Sequence, residues 1–327
     1  MLHIGLYGKN GHQIDAHLRK HPLAQLVAVA GIPDVDLQKI YGSEDHSIHR
    51  HSSFEDLLAD PKVDLISLCS PRRSEQAEHA IRALKAGKHV LAEKPCALTE
   101  ADLDAIIQTA RTTGKVFHEM AGTAYEQPYY AMQQIIQSGV IGEVVQVIAE
   151  KSYPYCDWRA QDEDEDGGLI CQNGIHALRF VEHVAGMHIC SIRAFETKKA
   201  NPLPTGELRM AASIVAELSN GGVASIACNY LNPRGTGIWG DESLKILGSK
   251  GILESRSGGQ WTRLIIGSKD CGPIDVQTPP PQWHDLFFKD VLGMQKIPMD
   301  IETELSPTRW AIRAKLSIID NKPICLS

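Results

Sequence analysis

The stretch HAIRALKAGKHVLAEKP, residues 79–95, constrains this chain most. Ala77, Ala80, Ile81 and Leu84 stand at i, i+3, i+4 and i+7, which predicts a helix over 74–86 with one buried face. Gly87 sits where a left-handed residue ends such a helix. HVLAE then reads as a strand. A second apolar run, VDLISLCS (63–70), precedes the helix and is closed by Pro71. Strand, helix and strand at this spacing require a crossover, and therefore a parallel sheet. The pattern recurs. LHIGLYG (2–8), QLVAVAG (25–31) and KVFHEM (115–120) are strand candidates, and HQIDAHLRK (12–20) is a modest helix. Thr99 can cap a further helix, with Asp102 at the capping-box position, an inner stripe of Leu103, Ile106, Ile107 and Ala110, and Gly114 at its end.

The pattern changes after residue 120. One helix is expected near 127–138. EVVQVIAEK (143–151), CSIRAFET (190–197), LRMAASIVAEL (208–218) and GVASIACNY (222–230) are longer, alternating strands. Asn220-Gly221 is a strong hairpin signal. SLKILGSKGILES (243–255) predicts a second hairpin, turning at GSKG. Tight turns between strands imply an antiparallel sheet that can keep one face open. A closing helix is expected over 304–319. The expected fold is an α/β unit with a mostly parallel, doubly wound sheet over 1–120, then an α+β domain with a large, open, mainly antiparallel sheet over 121–327. At 327 residues, each part is long enough to bury a core.

The net charge of −7 offers no field for nucleic acid or an anionic membrane. No uncharged apolar run approaches the length needed to cross a bilayer. MLHIGLYGKNG is a strand breaking at glycine, not a signal peptide. Eight scattered cysteines without a CxxC pair fit reduced thiols and a cytoplasmic location. HSIHRH (46–51) reads as a polar connection, and no metal site is expected. QDEDED (161–166) reads as a solvated acidic loop that could border a pocket and disfavour phosphorylated or carboxylated substrates.

In IGLYGKNGHQ the first strand breaks into glycine, as where a dinucleotide pyrophosphate meets a helix N-terminus. Glycines stand at 5, 8 and 11. Asn10 can adopt left-handed angles in place of a glycine, whereas Gln13 cannot give the same close helix–strand packing. The alternative is a plain strand–helix turn. The second strand ends in Ala30-Gly31 without a ribose-binding acid. Asp34, beyond a proline, reads as a helix cap, so NAD and NADP both remain open.

LYGKNGHQ, FEDLLADPKVDLISLCSP, HAIRALKAGKHVLAEKP, SGVIGEVVQV and GGLICQNGIHAL, in this order, resemble the Gfo/Idh/MocA family. These are NAD(P)-dependent oxidoreductases acting mainly on sugars, inositols and related polyols. The resemblance covers nearly the whole chain, and AGKHVLAEKP is its most specific part. It implies a Rossmann domain followed by an open-sheet domain that often forms the subunit interface, hence a homodimer or homotetramer. It makes Lys94 the lysine that contacts substrate and nicotinamide; the alternative is a turn lysine paired with Glu93. Gly8, Lys9, Asn10, Gly11, Ser70, Pro71, Glu93 and Lys94 are the implied cofactor contacts. His176 matches the family frame D-x-G-x-H and is the implied proton acceptor or donor. Gln172 stands where that frame has an acid, and on a helix it would share a face with His176. Gln172, Tyr125 and Trp158 are the candidate substrate contacts, with core or interface packing as the alternative for the aromatic pair. Two other activities stay open: a glycosidase that uses NAD transiently, and a non-catalytic nucleotide or sugar sensor.

Overall fold

The computed structural model describes residues 1–41, 47–120 and 122–326. The chain divides into two compact units. The first comprises Met1–Met120, Asp164–Asp166 and Pro281–Leu305, and the second Ala121–Glu163, Gly167–Pro280 and Ser306–Ser327.

In the first unit, six parallel strands form one sheet: β1 (Leu2–Tyr7), β2 (Ala24–Ala30), β3 (His49–His51), β4 (Leu65–Leu68), β5 (His89–Ala92) and β6 (Phe117–Glu119). Their order is β3-β2-β1-β4-β5-β6. The order in which strands are added reverses between β1 and β4, and ligands of such sheets bind outside the strand ends at that point. The connecting helices are α1 (Asp15–Leu18), α2 (Asp34–Tyr41), α3 (Phe54–Ala59), α4 (Gln76–Lys85) and α5 (Glu100–Thr113). The cap at Thr99 forms as the sequence requires: its side chain accepts from the Asp102 N–H, and Gly114 ends α5 in the left-handed region. The helix expected over 12–20 is only the four residues of α1. Gln13 explains the loss. Its Nε2 donates to the carbonyls of Tyr7 (3.0 Å) and Gly8 (2.8 Å), while Ser67 Oγ donates to its Oε1 (2.6 Å). The side chain is pinned to the strand ends, so the chain turns back over it before a helix can start. Asp34 is the first residue of α2 and pairs with Arg50 (2.6 Å). His49 and His51 lie on β3, where His51 meets Asp60 at 3.0 Å, and His46 lies outside the described residues.

The second unit opens with α6 (Tyr129–Gln137) and then builds a nine-stranded sheet. Its strands are β7 (Val144–Ser152), β8 (Ile189–Thr197), β9 (Ala211–Leu218), β10 (Val223–Asn229), β11 (Asp241–Gly248), β12 (Gly251–Arg256), β13 (Trp261–Ile266), β14 (Lys269–Gly272) and β15 (Ile324–Cys325). The order is β14-β13-β12-β11-β7-β10-β9-β8-β15, antiparallel except between β7 and β10. Asn220-Gly221 turns the β9–β10 hairpin, and GSKG turns β11 into β12. Alternation sets the two faces. Val147, Ala149, Ile214, Ala216, Ala224 and Ile226 are buried, whereas Ile148, Val215 and Val223 are exposed on the other side. A short turn, α7 (Glu163–Asp166), precedes the helical segment that holds the GGLICQNGIHAL motif.

That segment contains the five-residue α8 (Ile175–Arg179), and two late helices follow, α9 (Trp283–Val291) and α10 (Ile301–Ile319). α9 belongs to the first unit although it follows the second in sequence. Its Phe287 and Phe288 are fully buried in a core with Leu2, Leu18, Leu65 and Leu91. An ionic cluster fixes this return. His118 on β6 is buried, with Nδ1 2.5 Å from Glu304 and Nε2 3.3 Å from Asp290, and Glu304 also accepts the Glu119 N–H (2.8 Å). Burial disfavours the imidazolium, but the two carboxylates outweigh it and raise His118 to about 9. A raised folded-state value contributes stability fully present below about 6.5 and lost as pH rises through about 9. His118→Gln should therefore cost on the order of 2–3 kcal/mol at neutral pH. Thermal unfolding across pH should show the gap between variant and wild type closing above that value. A gap constant with pH would refute the assignment.

Candidate functional site

In the first unit the site forms where β1, β4 and β5 end. β1 breaks at Gly8, whose φ is +69°, and a Cβ there would stand 2.1 Å from the Cys69 carbonyl oxygen. No side chain can occupy that position while β1 and β4 stay adjacent. Gly11 has φ +128°, and a Cβ would meet the Glu93 side chain at 2.5 Å. Gly8→Ala is expected to cost at least about 2 kcal/mol and to weaken NAD(P) binding, because the clashing atom is backbone and cannot rotate away. Thermal unfolding together with a cofactor titration checks this.

Glu93 is the hub. It ends β5, is 2% exposed, and accepts from the His12 N–H (2.5 Å) and the Lys94 N–H (3.0 Å), with His12 Nδ1 3.1 Å away. Burial alone would raise its carboxyl, but the His12 hydrogen bond and the charges of Lys94 and Arg73 hold it at about 2. It is therefore a fixed anion under the glycine turn. The His12 N–H is thereby committed to protein, and α1 is too short to present a helix dipole. The helix expected to follow the turn is thus cut to four residues, and the turn offers bare glycine backbone.

Lys94 follows Glu93 and is 4% exposed. Two polar side chains that motif reading did not single out, Gln76 and Arg73, lock this region. Gln76 accepts from the Ser70 N–H (3.0 Å) and donates to the carbonyl of Glu93. Arg73 donates to Gln76 (2.8 Å) and to the Asn10 carbonyl (2.6 Å). Ser70 Oγ lies 2.9 Å from His79 Nδ1. The signal was present: Gln76 falls on the buried stripe with Ala80, Ala83 and Leu84, an apolar face that admits an amide only when its hydrogen bonds are met.

Of the implied cofactor contacts, Gly8, Asn10, Gly11, Ser70, Pro71, Glu93 and Lys94 all belong to this set of strand ends. Asn10 Nδ2 donates to the carbonyls of Pro71 (3.1 Å) and Glu165 (2.5 Å), so the acidic segment is tied to the turn through its backbone. Lys9 points to Asp36 (3.2 Å) and is mostly exposed. The side-chain-free turn at the switch point fits a dinucleotide. β2 ends at Ala30, and Asp34 and Asp36, just beyond, are engaged by Arg50 and Lys9.

The second unit carries the other candidates. The motif GGLICQNGIHAL is helical but wound wide: Ile170–Gly174 and Phe180–Val184 are π-turns on either side of α8. The straight helix that would align Gln172 with His176 by i, i+4 spacing is therefore corrected to a π-interrupted one. Gln172 Oε1 accepts from Tyr230 OH (3.3 Å), and the His176 ring meets Tyr153 edge-on, centroids 6.3 Å apart. Tyr153 also lies under Lys151 (4.7 Å), which pairs with Glu242 (2.5 Å). Burial penalises the Lys151 cation, but Tyr153 and Glu242 raise it above an ordinary lysine, so it stays charged. Tyr125 is half-buried in the turn Thr123–Tyr125 ahead of α6, and Trp158 is exposed beside Trp239.

The described residues hold no group of three or more His, Cys, Asp or Glu side chains suited to a metal ion. Among the same residues, no helix is long and apolar enough to cross a membrane. Residues 2–120 match the family described as oxidoreductase family, NAD-binding Rossmann fold, and residues 129–254 match the GFO/IDH/MocA C-terminal domain. The chain is 29% identical over 164 residues to trans-1,2-dihydrobenzene-1,2-diol dehydrogenase of Bos taurus, 50% of this chain and 48% of that one. Thus the match spans about half of that relative's length. It is 24% identical over 292 residues to inositol 2-dehydrogenase/D-chiro-inositol 3-dehydrogenase of Lactiplantibacillus plantarum, 87% of this chain and 79% of that one. The solved aldose-aldose oxidoreductase of Caulobacter crescentus shares the fold, with a TM-score of 0.83 at 19% identity over 99% of each chain. The chain belongs to the Gfo/Idh/MocA oxidoreductase family, and its first unit is that family's NAD-binding Rossmann domain, with NAD or NADP as cofactor.

Proposed function

We propose that this protein interconverts an alcohol and a ketone or lactone on a sugar, inositol or related polyol, using NAD or NADP. The observation that carries the reading is the buried Glu93–Lys94 pair at the end of β5, set against the bare turn at Gly8 and Gly11. The names of the relatives, an inositol dehydrogenase and a cyclic diol dehydrogenase, support the substrate class. The nicotinamide, when bound, supplies the hydride acceptor or donor. Lys94 holds the reacting oxygen with its ammonium group, and Glu93 keeps that lysine and the turn in place. His176 takes the hydroxyl proton in oxidation and returns it in reduction, work suited to an imidazole. Gln172 cannot ionise, so it orients substrate. The exposed apolar positions Ile148, Val215 and Val223 of the open sheet support a homo-oligomer formed through that face. The test is a panel of sugars, inositols and polyols with NAD or NADP, followed by the absorbance of reduced nicotinamide, with sugar release followed alongside. Reduced cofactor should accumulate with at least one member. Cofactor binding without turnover of any member would refute the reading, and sugar release without net reduction would replace it by the glycosidase.

A further inference from the structure

We propose that the second unit carries a separate sugar-stacking subsite on Trp158 and Trp239, so that the substrate is a glycoside or oligosaccharide: a reacting ring plus at least one more. This rests on the oxidoreductase reading and deepens it by naming the substrate class.

The two indoles are among the most exposed large apolar side chains, Trp158 at 71% and Trp239 at 51%. They come from distant loops, one after β7 and one between β10 and β11. Yet their planes differ by only 21°, with centroids 6.5 Å apart. With the two planes so nearly parallel, a flat ring stacked on one indole is tilted only slightly from the plane of the other. The apolar C–H face of a pyranose is such a surface, and aromatic faces carry the negative potential that attracts it. The neighbouring residues Asp157, Arg234, Gly235, Thr236 and Gly237 are polar or glycine, which suits a small polar ligand better than a broad protein interface.

The platform is held from beneath. The Arg159 guanidinium lies 5.2 Å from the Trp158 ring, 3.8 Å from Tyr230 and 5.5 Å from Tyr153. Arg159 is 6% exposed, and its Nε has no hydrogen-bond partner among the described residues. Its charge is accommodated by three ring faces and by the Pro154 carbonyl, to which it donates at 3.5 Å. A ring fixed before binding loses little freedom when ligand arrives.

The platform is also connected to the candidate reacting residues without coinciding with them. Tyr153 touches both Trp239 (6.4 Å) and His176 (6.3 Å). Tyr230, which carries Arg159, donates to Gln172 (3.3 Å). Tyr153 is thus the shared neighbour of Trp239 and His176. In the proposed complex one ring reacts at His176 and a second stacks on the indoles.

The test compares hexoses with their methyl glycosides and disaccharides, glucose with cellobiose and maltose among them. Binding is read by calorimetry on the full chain without cofactor, and kcat/KM with it. At least one disaccharide should bind about tenfold tighter than its monosaccharide, and Trp239→Ala should reduce that preference about tenfold. Trp158→Phe, which keeps a ring face, should retain most of it. Equal affinity for both sugars, or a preference unmoved by Trp239→Ala, overturns the subsite and leaves the oxidoreductase reading standing. Tryptophan-dependent disaccharide binding with no turnover of any sugar or polyol overturns that reading and supports the subsite. Loss of self-association in Trp239→Ala, measured by sedimentation with no change in sugar preference, makes the patch a contact between copies and overturns the subsite.

Discussion

Lys94→Met is expected to lower turnover by at least about a hundredfold to a thousandfold while leaving NAD(P) binding nearly unchanged. Methionine keeps most of the aliphatic stem, so packing at the 4%-exposed position is largely preserved. What disappears is a fixed positive charge at the end of β5. In a cleft shielded from water, such a charge is worth far more toward developing negative charge on a substrate oxygen than it is in bulk solvent. The proposed contacts for the cofactor's phosphates, by contrast, are the bare turn at Gly8 and Gly11. Steady-state rates, cofactor titration and thermal unfolding separate the outcomes. Near wild-type turnover would end the proposed role of Lys94. Lost activity with equally lost cofactor binding would make it a structural lysine.

Glu93→Gln should be the most destabilising single change at the site. It keeps the shape but removes the anion that faces Lys94 and Arg73 and receives the His12 N–H. The amide also turns one acceptor into a donor. The carboxyl is held at about 2 against an ordinary 4.5. This corresponds to a contribution on the order of 3 kcal/mol at neutral pH. The sign follows from the direction: a depressed carboxyl contributes above 4.5 and loses that contribution as pH falls toward 2. Wild type should therefore lose stability steeply on that acid limb, whereas Glu93→Gln should start lower and fall less. Lys94→Met removes one of the charges that depress Glu93, so its acid limb should begin at the same pH but end sooner and span less. Parallel acid limbs in wild type and Glu93→Gln would show that Glu93 is not the ionised hub.

The fold was largely legible because its signals are local. Ala77, Ala80, Ile81 and Leu84 announce a helix through spacing alone, Thr99 and Gly114 bracket another, and Asn220-Gly221 can hardly do other than turn a hairpin. The site was legible only at its motifs. Glu93 and Lys94 stand out because charge rarely ends an apolar strand. Gln13, Arg73 and Gln76 did not, since an amide or guanidinium in a polar stretch looks solvated until the carbonyls it serves are brought to it from other strands. Their partners lie up to 63 residues away. Gln13 shows the consequence. Spacing predicted a helix over 12–20, but a tertiary hydrogen-bond set at the strand ends outweighed a weak local preference.

By itself, the sequence determined the parallel sheet of the first unit, the open, mainly antiparallel sheet of the second and the family. Periodicity and turn chemistry act within a few residues, where chain connectivity guarantees the contact. Only the tertiary structure decided that α9 returns to the first core, that Glu93 is an anion under the glycine turn, that the segment around His176 winds into π-turns, and that Trp239 lies parallel to Trp158. Each of these depends on groups far apart in the chain. Their free energy comes from desolvation and geometry that exist only once the chain has folded.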